Sequence, residues 1–368
     1  MKETAPVNSP PDTGKSDRYT GIFRPSISGI GISVFLLTLL ALAVLVIITC
    51  MVSKTPGRTL FFFFLGPFRT LYSFGSMLNS AVPLIMGGLG VSIAMRTGNL
   101  NLGGEGQIYS GAFVAASAAL PLANAGFMGG FIAVLAGAFF AGAVAALSGV
   151  CKARWGANEL ITSFLLSNVL ILIVNYLIGG PFLDTQTNLQ STVKIPVQLR
   201  LPVILPSSNL SAAFIIAVAA ALIIGYLLKE TKMGYEFSVT GANEIFARYG
   251  GINTKRITVL AMFLSGILYG LAGALAVFGV YYAAIREFTA GLGWSGLAAA
   301  LVAAFNPIAV IPAGIFFAWI SSGAKLAMQN SDITFEIASI VQSVIFFLIT
   351  STVLYRCGAA LAKKRRHL

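Results

Sequence analysis

Charge is scarce in this chain. Asp, Glu, Lys and Arg together make up 10% of its 368 residues, whereas a soluble domain carries about a quarter. A water-facing surface of ordinary size has no material here. Histidine occurs once, at His367, and cysteine three times, at Cys50, Cys151 and Cys357. Cysteines so far apart suggest neither a disulfide framework nor a metal site. No G-x-x-x-x-G-K-[S/T] segment occurs, so no ATP phosphate loop of the chain's own is expected. H-E-x-x-H and G-x-S-x-G are also missing. Enzyme chemistry is therefore not expected, and neither is a bound cofactor.

What is abundant is apolar residue, at 57%, with a mean hydropathy of +0.87. It comes in blocks of about 18–25 residues, the length that crosses a hydrocarbon core. Runs such as Phe35 to Ile48 do not alternate in the way a barrel strand would. The fold class expected is an all-α polytopic membrane protein with about ten transmembrane helices. Their approximate ranges are 30–51, 76–95, 107–125, 128–150, 158–179, 210–228, 257–282, 294–305, 308–327 and 336–355. Glycine, at 39 residues, suits membrane helices, where small residues let backbones approach closely.

The net charge of +12 sits in short loops and in the tail Lys363, Lys364, Arg365 and Arg366. Positive-inside bias and anionic lipid explain it without nucleic acid. Arg96, Lys152, Arg154, Lys229, Lys232, Arg248, Lys255, Arg256 and Arg356 fall on one side if both termini are cytoplasmic. Lys54, Arg58, Arg69, Lys194, Arg200 and Arg286 fall on the other, so the bias is real but imperfect. Residues 1–29 read as a flexible cytoplasmic segment with no cleavable signal, 30–355 as the transmembrane domain, and 356–368 as a basic cytoplasmic tail. Residues 59–75, rich in Phe, read as an interfacial segment. The longest inner loop is 229–256, and a proline-rich outer loop covers 180–209. Leu102-Gly103-x-x-Gly106 is echoed by Leu292-Gly293-x-x-Gly296, as in transporters built from repeats whose broken helices meet at the midplane.

Three segments hold candidate functional residues. Between Arg96 and Gln107, glycines interrupt a helix, and Asn99, Asn101, Glu105 and Gln107 need polar partners. Two readings fit: a broken helix beside a solute path, or a cytoplasmic turn in which Glu105 decorates a helix start. Asn158 and Glu159 open the span 158–179, and Asn168 and Asn175, seven apart, share one of its faces. Such a stripe usually faces the bundle interior, where it contacts solute or bonds a neighbouring helix. Lys325 reads as a snorkelling cation. The third segment runs from Gly241 to Ile252. A short helix fits between its glycines, with Ile245, Phe246 and Tyr249 on one side and Glu244 and Arg248 at i, i+4. It docks either on a protein or on lipid.

On these residues the chain resembles the permease subunits of bacterial ABC importers for nucleosides and simple sugars, in the wider group of ribose and branched-chain amino acid permeases. Asn101-Leu102-Gly103-Gly104-Glu105-Gly106 is similar to the family's N-[IL]-G-x-E-G. Asn158-Glu159-Leu160-Ile161-Thr162-Ser163 is similar to its N-E-[VI]-I-x-[TS]. Gly241, Asn243, Ala247, Arg248, Tyr249 and Gly251 match its cytoplasmic loop, with Phe246 replacing an alanine. Ala303 stands where the family usually has glycine, and the extension to residue 29 is unshared. The resemblance implies that Gly241–Gly251, including Glu244, couples to ABC ATPase subunits, which carry ATP and Mg. It further implies a second permease subunit, identical or not, an extracytoplasmic solute-binding protein, and placement in the bacterial inner membrane. The nucleoside branch matches best; a sugar or riboflavin are the alternatives. An ion-coupled secondary transporter is the rival class, but it usually needs intramembrane carboxylates. Only Glu105, Glu159 and Glu336 come near that role.

Overall fold

The computed structural model describes residues 53–334 continuously, with isolated positions from Ala43 to Met51 and at Ser343 and Phe347. The expected spans 30–51 and 336–355 lie largely outside the described residues, and both terminal segments lie entirely outside them. Regular structure among the described residues is helical. Helices α1 (Pro56–Phe64) and α2 (Gly66–Arg69) lead into α3 (Leu71–Arg96). Then follow α4 (Gly104–Ala119), α5 (Gly126–Trp155), α6 (Glu159–Gly179) and α7 (Ala213–Glu230). The chain continues through α8 (Lys232–Ala242), α9 (Glu244–Tyr249) and α10 (Thr254–Ala276), which ends in a π turn at Val277–Tyr281. The last two are α11 (Leu292–Val302) and α12 (Pro307–Asn330).

Six of these helices, α3, α5, α6, α7, α10 and α12, are long and apolar enough to cross a membrane. Each matches an expected span. The expected spans 107–125 and 294–305 instead become α4, of 16 residues, and α11, of 11 residues. At about 1.5 Å per residue, neither crosses a core of about 30 Å. The reason is local: each is preceded by irregular backbone that enters the bundle. Thr97–Gly103 precedes α4 with Asn99 and Asn101 almost fully buried. The stretch before α11 has positive φ at Tyr282, Glu287, Ala290 and Gly291.

Side-chain caps set the helix starts. Thr70, Asn158, Asn253 and Asn306 each accept a backbone N–H at the openings of α3, α6, α10 and α12, as short polar residues favour. Helix α10 lies at the centre, packed on α3, α4 and α5. Lipid supplies no hydrophobic drive between helices, so close small-residue contact does the work. A Cβ on Gly273 of α10 would stand 2.0 Å from the Ile108 carbonyl oxygen of α4.

The aromatic segment before α3 divides between two roles. Phe63 is buried against Trp319 of α12, while Phe61 and Phe68 stay exposed. Just beyond α12, the Asp332 carboxylate accepts from the hydroxyls of Ser53 (2.6 Å) and Thr55 (2.8 Å) and from the Lys54 N–H. In that order, these bonds hold the carboxyl well below the ordinary Asp value. A depressed folded pKa means the contact stabilises above the unfolded value of 3.8 and is lost as pH falls through the folded one. Asp332→Asn reproduces the protonated state at neutral pH. It should raise the rate of tryptic cleavage after Lys54; an unchanged rate would show that Asp332 does not tether this segment.

Candidate solute pathway and coupling surface

The ends of the bundle can be told apart by contacts. The α8–α9 segment meets the end of α3: Arg96 donates to the Ser238 hydroxyl at 2.8 Å, and a Cβ on Gly241 would lie 2.3 Å from the Arg96 carbonyl oxygen. This is called the coupling end. The 180–212 loop covers the far end. Its Ile195 N–H donates to the Tyr282 carbonyl at 2.7 Å, and Asn79 of α3 bonds Asn209 and Ser211.

Helices α4 and α11 start against each other inside the bundle. The two oxygens of Glu105, in the first turn of α4, accept the N–H groups of Gly291 and Gly293 at 2.8 Å each. One carboxylate thus closes the N-terminus of α11, where helix donors are unpaired and negative charge is favoured. A Cβ on Gly293 would stand 2.4 Å from the Glu105 nitrogen. The two echoed Leu-Gly-x-x-Gly segments are therefore the two abutting helix starts.

Behind Glu105 the backbone of 101–107 is fastened by amides. Asn101 donates to Gln107 Oε1 (2.8 Å) and Gln107 donates back to Asn101 Oδ1 (3.1 Å); Asn101 also donates to Ser265. Ser163 and Ser167, one turn apart on α6, accept the N–H groups of Leu102 and Gly106. Ser265 lies eleven residues into α10, about 16 Å at 1.5 Å per residue, so this joint sits near mid-depth. Irregular backbone there needs such partners, because no water supplies them.

The other expected pathway residues lie elsewhere. Asn99 accepts from Lys152 (2.6 Å), which also pairs with Glu159 at 2.8 Å; this cluster is at the coupling end. Asn158 caps α6. Asn175 accepts from the Tyr109 hydroxyl (2.7 Å) and donates to Glu287. Asn168 is exposed and, among the described residues, donates only to the Phe164 carbonyl in its own helix. The stripe on α6 is divided: Asn175 is half-buried and bonds Tyr109 of the neighbouring α4, whereas Asn168 is exposed. The eight residues form separate groups rather than one site.

A cavity of about 610 Å³ opens between α3, α11 and α12. Ser76, Asn79 and Ser80 of α3, Trp294 and Ser295 of α11, and Lys325 of α12 are among its walls. Lys325, expected to snorkel, lines it and has no acidic partner among the described residues. Asn101 and Glu105 border a small recess with Tyr269, and Trp294 lines both recess and cavity. Sequence reasoning missed Ser167, Ser265 and Tyr109, and gave Ser163 and Lys152 no partner. The serines at i, i+4 on α6 were the available signal.

At the coupling end, α9 matches the expected short helix. Asn243 caps it, accepting from Phe246 N. Arg248 bonds both Glu244 and Thr254, the first residue of α10. Gly251 turns the chain with φ +80°, a conformation glycine adopts without strain. Ala247 is buried, while Ile245, Phe246 and Tyr249 are 61%, 65% and 89% exposed.

A family model described as "Branched-chain amino acid transport system / permease component" matches residues 73–350. The "Probable riboflavin import permease protein RfuC" of Treponema pallidum (strain Nichols) is 32% identical over 314 residues, covering 85% of this chain and 83% of that protein. The "Guanosine ABC transporter permease protein NupP" of Bacillus subtilis (strain 168) is 28% identical, covering 82% and 87%. The "Glucose ABC transporter permease protein TsgB13" of Haloferax volcanii is 29% identical, covering 82% and 83%. With a family match across most of its length, the chain belongs to the branched-chain amino acid transport system permease family, as a multi-pass ABC transporter permease of the inner membrane.

Proposed function

We propose that this permease forms the import path for an uncharged polar solute, a nucleoside first of all. The observation that carries this is the cavity, walled by serines, Asn79 and Trp294, above the Glu105 joint. Hydroxyls and amides donate and accept, matching sugar hydroxyls and base edges, and aromatic faces stack on bases. Among the described residues its walls hold no carboxylate, whereas an ion route usually shows dense carboxylates or rings of like charge. Relatives named for guanosine and glucose transport support a neutral solute. Riboflavin is a second reading, favoured by the relative at 32% identity.

In this reading α9 docks on separate ATPase subunits, which carry ATP and Mg, and the coupling end is cytoplasmic. The far end receives solute from a binding protein, and a second permease subunit completes the path. The ten-span count with cytoplasmic termini belongs to the same proposal.

The test is uptake by Lys325→Gln in vesicles loaded with ATP and supplied with the binding protein. Glutamine still donates a hydrogen bond to a neutral solute, so one bond replaces another and uptake should stay within about threefold. A loss beyond about tenfold, with affinity that falls as salt rises, would mean an anionic cargo and overturn the proposal.

A further inference from the structure

We propose that the groove between α5 and α10 at the coupling end is a binding site for one anionic glycerophospholipid. The groove, of about 620 Å³, is lined by Ala146, Val150, Val259, Leu260 and Phe263, with Arg154, Asn253, Lys255 and Arg256 at its end. Its apolar part suits an acyl chain and its basic end suits a phosphate. Beneath the groove the two helices stay in close contact: a Cβ on Gly149 would stand 3.0 Å from Val259 Cα.

Charge accounting separates this site from a general positive-inside bias. Every described carboxylate at the coupling end has its own cation: Glu159 has Lys152, Glu230 has Lys229, Glu236 has Lys232 and Glu244 has Arg248. Arg154, Lys255 and Arg256 have no acidic partner among the described residues. Lys255 and Arg256 also sit in the first turn of α10, which holds no acidic residue. Cations are disfavoured there, because the helix dipole already presents positive charge. A bound phosphate removes the conflict, and helix starts favour anions. Basic pockets between membrane helices at the cytoplasmic side hold anionic head groups by this physics.

The site has a route to transport. Thr254, between the Asn253 cap and Lys255, bonds Arg248 and Glu244 of α9. A head group that steadies this turn steadies the helix proposed to meet the ATPase. That consequence rests on the proposed function; the binding does not.

Native mass spectrometry tests the binding on the purified full chain, equilibrated in detergent with phosphatidylglycerol or with phosphatidylcholine of the same acyl chains. One phosphatidylglycerol should be retained in preference to phosphatidylcholine. Lys255→Gln with Arg256→Gln should cut its retention about tenfold or more. Leu260→Trp, which fills the groove and keeps the cations, should do the same. Lys255→Arg should retain the lipid, which controls for folding. Equal retention of both lipids, or undiminished retention in either neutralised or filled variant, would overturn the site. So would full displacement by glycerol phosphate, which would make it an anion site alone, or a second copy of the chain occupying the groove in place of lipid.

Discussion

Glutamine at position 105 should lower solute uptake about tenfold or more while leaving the membrane level of the protein within about twofold. The Glu105 carboxylate offers two equivalent acceptors to the N–H groups of Gly291 and Gly293. Glutamine offers one oxygen and one amine, so one backbone donor faces another donor. Charge-assisted bonds contribute about 1.5–3 kcal/mol each, and an orphaned buried donor costs about 1–3 kcal/mol. The negative charge that balances the α11 start is lost as well. The rest of the joint is held separately by Asn101, Gln107, Ser163 and Ser167, so the bundle should still insert and fold. Uptake of labelled solute, normalised to permease quantified by immunoblot, reads the effect. Full uptake at normal protein level would show that the two helix starts do not need this clamp. Asp at 105 retains the charge but is one methylene shorter, so partial recovery would separate charge from reach.

Much of the fold was legible because membrane spans announce themselves by length and apolar content. The six long helices coincide with expected spans to within several residues. The two short ones have the apolar content of full spans, and the apolar count alone does not show where a helix stops inside the bundle. What marks the stop is the glycine-rich Leu102–Gly106 segment, and its echo at Leu292 is where the second break falls. The unusual backbone at Tyr282, Glu287 and Ala290 left no comparable mark, since none of these residues advertises positive φ.

The candidate site was less legible, and the reason is that a polar residue in an apolar span declares a need without naming its partner. Asn101 and Gln107 satisfy each other, six residues apart across a helix start. Asn99 reaches Lys152, 53 residues away, which no spacing rule connects. Asn168 and Asn175 have the spacing of one face, yet periodicity gives a face and not its direction. The cavity is built from Ser76, Asn79, Ser295 and Lys325 on three helices far apart in sequence, and serines are too common in membrane helices to single out. The short helix α9 was legible because it is local: a cap, an i, i+4 pair and three exposed apolar residues within ten positions.

That locality makes the coupling surface the sharper place to test function. Tyr249 is 89% exposed, so Tyr249→Ala should leave the permease folded and inserted. A large aromatic seated in a partner's groove commonly contributes about 2 kcal/mol or more. Its removal should then reduce uptake about tenfold or more, with ATP hydrolysis by the partner no longer stimulated by solute-loaded binding protein. Arg248→Ala should act from the inside of the same surface. It releases α9 from Glu244 and from Thr254 at the head of α10, so motion of α9 is no longer passed to the central helix. The pair is exposed, so its contribution to stability is small, about 1 kcal/mol at most, and the loss is expected in coupling rather than in protein level. The two variants should differ in one respect. Tyr249→Ala should weaken co-purification of the ATPase, whereas Arg248→Ala should retain the ATPase and waste its hydrolysis. Normal solute-stimulated hydrolysis and normal uptake in both would mean that α9 lies on lipid and that the ATPase docks elsewhere.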